Sequence, residues 1–329
     1  MDNVETRKSA SRRRLDIKSL FGGRNRGGEA AEVPSENPKP AGFLNKARAL
    51  TRRKYFGRVL IVAALVVVVV AEFIHLCDNS HFVDTFYEVE DDRIANHIRI
   101  VELADLHLKE FGENNAELVD EITRLHPDII AMAGDMMDMR TTDATVVTEL
   151  CRQLVDVAPV YFSYGNHEKQ LIRVDQTSTV NEELEAMGVH VLHNRYETVE
   201  INGSLLDIGG LSANPGTMEA DYTQDFWQNY LKTENYRLLL VHYPQFFFSG
   251  GELVDCGVDM ALCGHLHGGQ VVVPFVGGLY HPTGGFLPEM TDGCNLVGDT
   301  WVVISRGLGN GKWFPRVNNP PELVIVDLY

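Results

Sequence analysis

In five places the sequence groups side chains that can bind metal ions: Asp105-Leu106-His107, Gly134-Asp135-Met136-Met137-Asp138, Gly165-Asn166-His167-Glu168, Val241-His242 and Gly264-His265-Leu266-His267-Gly268. Together these hold His107, His167, His242, His265 and His267, out of 12 histidines in the chain. Carboxylates, imidazoles and one amide suit borderline divalent ions such as manganese, iron or zinc; all-oxygen cages suit calcium or magnesium, and thiolates suit structural zinc. The two-residue step of Asp-x-His and His-x-His puts both side chains on one face of an extended segment. The first and last clusters can therefore clamp a metal pair between them. Glycines beside three clusters allow close approach of the backbone to ions and substrate. Taken singly each signal is ordinary, since a lone Gly-Asp is a turn. Their order, each behind an apolar run, carries the weight.

Those apolar runs are the elements that must position the clusters. Residues 97–103 read as a strand, 112–125 as a helix with Leu118, Ile122 and Leu125 on one face, and 128–133 as a buried strand. A helix over 145–155 and a strand over 160–164 follow, with later strands over 205–211, 237–242, 258–263, 270–273, 301–305 and 323–327. Early βαβ alternation implies parallel pairing with helices on the sheet faces. The strand-rich second half implies a second or mixed sheet. In open α/β sheets the loops at the carboxyl ends of strands converge on one crevice, so five such loops would bring the five clusters together.

The 329 residues carry a formal net charge of −17, unevenly placed. Residues 1–58 hold 15 Lys/Arg against 6 Asp/Glu, a balance of +9, and the remainder holds 14 against 40, a balance of −26. The acidic body excludes a duplex-binding surface, which needs a positive footprint, and no nucleic-acid partner is expected. The basic head precedes an uncharged apolar run at 59–71, which extends through Glu72 to Leu76. Flanking basic residues stay on the cytoplasmic side of a membrane segment. This reads as a disordered basic cytoplasmic tail (1–54), a single transmembrane signal-anchor (55–76), a connector (77–95) and a catalytic domain (96–329) outside the cytoplasm. The stretch 22–40 in particular has a disordered composition. A cleaved signal h-region is the rival reading, and Thr51-Arg52-Arg53-Lys54-Tyr55-Phe56 is similar to a twin-arginine export signal. The five cysteines are odd in number and contain no CxxC pair, so they define no disulfide framework.

With these residues in hand, the segment 97–329 resembles the calcineurin-like metallophosphoesterases, with all five of that family's motifs intact. The resemblance implies a four-layer α/β/β/α sandwich of two mixed sheets and a dinuclear divalent metal centre of manganese, iron or zinc, with manganese favoured. By the same resemblance Asp105, His107 and His267 would bind one ion, and Asn166, His242 and His265 the other, with Asp135 bridging them. His167 would stand just off the metals as the catalytic acid or hydrogen-bond donor. Asp138 would orient a ligand such as His107, and Arg306 is a candidate substrate contact with a salt bridge as its alternative. Ala104 stands where Ser is common, and Glu168 where Asp is frequent. Neither departure removes a ligand.

The pieces His267-Gly268-Gly269-Gln270, Ser305-Arg306-Gly307-Leu308-Gly309 and Asn319-Pro320-Pro321-Glu322 are similar to a membrane-associated bacterial branch of that family. The branch includes enzymes that cleave the pyrophosphate of UDP-diacylglucosamine. The expected function is hydrolysis of a phosphodiester or pyrophosphate bond, in a lipid or cell-envelope precursor, by a water acidified between two ions. Hydrolysis of soluble extracellular nucleotides or phosphomonoesters, or metal-bound binding without catalysis, are the alternatives. Tyr243, Phe246, Phe247, Phe248, Trp313 and Phe314 could form an acyl-chain groove, or pack a helix on the sheet. The substrate, the metal and the oligomeric state are not written in the residues, since one scaffold serves many substrates.

Overall fold

The computed structural model describes residues 41–140, 143–173, 178–212, 214, 221–281, 285–310 and 315–329. The disorder expected over 22–40 and the Trp313-Phe314 pair lie outside them. The chain divides into two units, 1–63 and 64–329.

Helix α1 (Ala41–Leu76) runs through the boundary between these units and is 36 residues long. It begins well before the apolar run, so residues 41–54 of the expected tail are helical. Ala, Leu, Lys and Arg in that stretch are good helix formers, which accounts for the extension. Its stretch Leu50–Leu76 is a candidate membrane span of 27 residues, none of it buried, with the uncharged run between Arg58 and Glu72. At 1.5 Å per residue the stretch 59–76 is about 27 Å long, close to the thickness of a hydrocarbon core of about 30 Å.

The second unit holds two six-stranded mixed sheets. In the first, β1 (Val83–Val89) lies at one edge, beside β16 (Glu322–Leu328), followed by β2 (Ile98–Leu103), β3 (Ile129–Met132), β4 (Val160–Phe162) and β5 (His190–Val191). From β2 to β5 the pairing is parallel, as the early alternation implied. In the second sheet the order is β14 (Gly293–Val297), β15 (Thr300–Ile304), β9 (Met260–Cys263), β8 (Tyr236–Val241), β7 (Ser204–Leu211) and β6 (Arg195–Ile201). Two small hairpins, β10–β11 (Val272–Val273 with Gly277–Gly278) and β12–β13 (Tyr280–His281 with Gly285–Phe286), separate β9 from β14.

Alternation along the strands builds three apolar layers. Ile98, Ile100, Ile129 and Val326 from the first sheet meet Ile208, Leu238, Leu262 and Val303 from the second, all buried. The opposite face of the first sheet is covered by α2 (Ala116–Leu125), α3 (Thr145–Leu154), α4 (Asn166–Arg173) and α5 (Ser178–Ala186), through Leu118, Ile122, Leu150 and Leu184. The outer face of the second sheet is covered by α6 (Asp221–Tyr230) and the turn at Pro244–Phe247, through Phe226, Tyr230, Phe246 and Phe247. The fold is the expected four-layer α/β/β/α sandwich.

One expectation needs correcting. The stretch 77–95, read as a connector, contains β1, which pairs in parallel with β16 along its whole length. As an edge strand of mixed exposure, with Asp84 and Glu88 among its residues, β1 lacks the continuous apolar run that marks the central strands. All five cysteines are free thiols.

Candidate metal centre

The five clusters sit where the strands end. Asp105 and His107 follow β2, Asp135 follows β3, and Asn166 and His167 open α4 behind β4. His242 follows β8, and His265 and His267 follow β9. The carboxyl edges of both sheets therefore feed one place.

Two sets of donors result. In the first, Asp105 Oδ1 lies 3.7 Å from His107 Nε2 and 3.6 Å from His267 Nε2, with the two imidazole nitrogens 3.3 Å apart. In the second, Asp135, His242 and His265 bring their donor atoms within 4.8 Å of one another, and Asp135 Oδ2 stands 3.1 Å from His242 Nε2. Asp135 also groups with His107 and His167, so it faces both sets.

The supporting contacts aim these atoms. His242 Nδ1–H donates to Ala133 O at 2.9 Å, which leaves Nε2 with its lone pair toward the site. Asp105 Oδ2 accepts the His265 N–H at 2.8 Å, and Asp135 Oδ1 accepts the His167 N–H at 2.8 Å, so each carboxylate turns one oxygen inward. Asp105 Oδ1 and the buried Asn166 Oδ1 accept no hydrogen bond. Buried acceptors without donors are costly unless a cation meets them. The residues present fit a pair of divalent ions.

The backbone is bent to make this possible. Asp105, His107, Asp135, His265 and His267 all have φ between 47° and 74°, the left-handed region that non-glycine residues avoid. The close approach of Gly165 is equally required, since a Cβ there would lie 2.1 Å from Asp135 Oδ1.

Electrostatics favour the ligating forms of His107, His265, His267 and Asp135 and oppose those of Asp105 and His242. Burial lowers His107 to about 4 and pushes His265 and His267 well below the ordinary imidazole value, which keeps all three neutral. Burial raises Asp105 to about 7, with the charge of Asp135 adding to it against the opposing pull of His242. Burial acts on Asp135 in the same direction, but the cationic form of His242 beside it wins and holds Asp135 low. Burial opposes that charge on His242, and Asp135 reverses the balance, raising the imidazole to about 9.

His167 is placed differently from the seven donors around it. Its Nδ1 accepts the Met139 N–H at 3.0 Å, so the proton of the neutral ring is on Nε2, which lies 3.8 Å from Asp135 Oδ2. Asp138 accepts the Arg140 N–H at 3.0 Å, and its charge reaches His107. The Arg306 guanidinium pairs with Glu322 at 2.8 Å, and its side chain lies beside Gly268 of the ligand turn. Phe246 and Phe247 are core residues of the second sheet's outer face, in keeping with the packing reading.

Three contributors were given no role by the sequence. Glu168 is buried and accepts the N–H groups of Asp135, Met137 and Gly165, each at 2.9 Å. Arg316 is fully buried and donates to the carbonyls of Arg306, Gly307 and Gly309, with His267 Nδ1 at 3.4 Å. His281 lays its ring edge-on against His265, with centroids 4.6 Å apart. Only Glu168 sat in a recognisable cluster; a lone arginine or histidine in a loop gives no signal of burial.

The calcineurin-like phosphoesterase family matches residues 98–269. The chain belongs to that family. As a calcineurin-like phosphoesterase it is a metal-dependent hydrolase of phosphoric esters, from a family that works with two metal ions. It is 27% identical over 242 residues to phosphodiesterase YaeI of Escherichia coli, covering 70% of this chain and 82% of that relative. It is 29% identical over 239 residues to the uncharacterized metallophosphoesterase YkuE of Bacillus subtilis, covering 70% and 78%. Among solved structures, the phosphopantetheinyl hydrolase of Mycobacterium tuberculosis aligns at 12% identity with a TM-score of 0.41, covering 64% of this chain and 89% of that one.

Proposed function

We propose that this calcineurin-like phosphoesterase is tethered to a membrane by α1 and hydrolyses a phosphodiester or pyrophosphate bond in a lipid or cell-envelope precursor. The observation that carries the hydrolytic part is the pair of donor sets meeting at Asp135, with Asp105 Oδ1 and Asn166 Oδ1 turned inward and unpaired. Asp105, His107 and His267 would hold one ion and Asn166, His242 and His265 the other, with Asp135 between them. Two divalent ions in those places, manganese being favoured, supply Lewis acidity, an acidified water and neutralisation of charge on the phosphoryl oxygens.

The chain's own part is orientation and proton delivery. Ala133 O fixes the tautomer of His242, and the His265 and His167 N–H groups fix the inward oxygens of the two aspartates. The Nε2–H of His167 is the group that donates to the leaving oxygen as charge builds there. The exposed apolar run within Leu50–Leu76 supports the tether, and the basic residues before that run support a cytoplasmic N-terminus and an extracytoplasmic catalytic domain. The tail motifs support a lipid-borne substrate, and the phosphodiesterase among the relatives supports diester chemistry.

The test is a comparison of substrates with the full chain in detergent and manganese. Turnover of a lipid-borne diester or pyrophosphate well above that of soluble nucleotides and phosphomonoesters is expected. Preference for soluble nucleotides would overturn the lipid reading and leave the hydrolase standing.

A further inference from the structure

The two small hairpins behind the His265-x-His267 turn hold an apolar surface that the hydrolytic chemistry does not use. Phe275 is fully exposed at the tip of β10–β11, with the exposed Val276 beside it. Phe286 on β13 is 82% exposed, and Leu287 after it is exposed as well. From Met260 through Pro288 the chain contains no Asp, Glu, Lys or Arg, in a protein where charged residues make up 23%. Large apolar side chains exposed on two successive hairpins without a charge among them mark a contact surface.

Both hairpins are rooted in the metal centre. Gly269, at the end of the ligand turn, lies so close to Gly278 on β11 that a Cβ would come within 2.6 Å of it. His281, on β12, packs against His265. The first hairpin is also joined to the end of the apolar helix. Asn318 donates its backbone N–H to Leu76 O at 2.8 Å and its side-chain amide to Val272 O at 3.0 Å, while Val272 N donates to Val317 O at 3.0 Å. Phe275 lies three residues beyond Val272, within about 10 Å along the chain.

We propose that Phe275, Val276, Phe286 and Leu287 form a membrane-docking face that seats the metal centre against the same bilayer α1 crosses. The inference rests on the tethering reading above. A bilayer is favoured over a second copy of this chain because the first hairpin is bonded, through Asn318, to the end of the apolar helix. The helix end bonded to Asn318 also fixes where the bilayer would begin. Hairpins without charge enter the interface without desolvating ions, and the net −26 of the body outside the basic head disfavours docking through charged surfaces on anionic lipid. Docking would present the metal centre to a phosphoester bond at headgroup depth.

The test uses the full chain reconstituted in phosphatidylcholine vesicles with brominated acyl chains, carrying Phe275→Trp or Phe286→Trp. The added fluorescence should be quenched relative to vesicles without bromine, while hydrolysis of a soluble diester stays at the wild-type rate. The double variant Phe275→Asp/Phe286→Asp should lose about ten-fold or more in turnover of a lipid-borne diester, as expected from losing burial of two large apolar side chains, and keep its rate on the soluble one. Unquenched fluorescence in a chain that floats with the vesicles would overturn the docking face alone. A chain that does not float would overturn the tether and the face with it. Loss of a dimer in the aspartate variant, without quenching in the tryptophan variants, would assign the tips to a second copy and overturn the proposal.

Discussion

At the scale of single residues, the site depends on side chains whose free atoms are chosen by what holds their other atoms. His167 is the clearest case. Met139 N occupies Nδ1, so the ring offers its proton only from Nε2. His167→Ala should cut turnover by about 10²–10⁴-fold, the range for loss of a general acid, while metal content measured by emission spectroscopy is unchanged. Loss of metal in that variant would make His167 a ligand instead. The identities of these residues were legible from type and order alone. Their backbone conformations were not: nothing in Asp or His marks a left-handed φ, and here tertiary contacts impose it on Asp105, His107, Asp135, His265 and His267. Arg316 was invisible for a similar reason, because an arginine shows its burial only when the carbonyls around it are known.

At the scale of elements, parallel strands deliver the ligands, and one carboxylate ties two of the delivering loops together. Glu168, in the first turn of α4, gathers three N–H groups from the loops after β3 and β4. Glu168→Gln would turn an amide donor toward one of those donors. The expected result is about 10–100-fold weaker metal binding, read by titration with manganese, with the sheet content by circular dichroism unchanged. Affinity equal to wild type would remove Glu168 from the positioning of the site. The central strands β2, β3, β8 and β9 were readable because both faces are covered, which makes them predominantly apolar. The edge strands β1, β6 and β14 escaped notice, since half-exposed strands mix polar and apolar residues. Residues 41–54 were read as tail because a helix with no packed face shows no periodicity.

At the scale of the whole molecule, the chain's last strand closes the first sheet between β1 and β2. Asp327 on β16 receives Arg99 Nε at 2.8 Å and His97 Nε2 at 2.8 Å. Burial alone would raise this carboxyl, but the Arg99 hydrogen bonds and His97 outweigh it and hold it below the ordinary value. A depressed carboxylate stabilises the fold above its unfolded value, about 3.9, and that stability is lost as pH falls through the lower folded value. Asp327→Asn should therefore lower Tm by several degrees at pH 7, on the order of 1–2 kcal/mol. The difference from wild type should shrink below about pH 4 as the wild-type carboxyl protonates. A difference that persists undiminished at low pH would assign the effect to packing. The central claim is that Asp135 lies between two ions that make this chain a phosphoesterase. Its most direct test is metal content and bis-(p-nitrophenyl) phosphate hydrolysis for the full chain in detergent, wild type against Asp135→Asn. About two ions per wild-type chain and manganese-dependent turnover are expected, with both lost in the variant. Turnover that survives complete chelation, or a variant that keeps two ions and full activity, would contradict the claim.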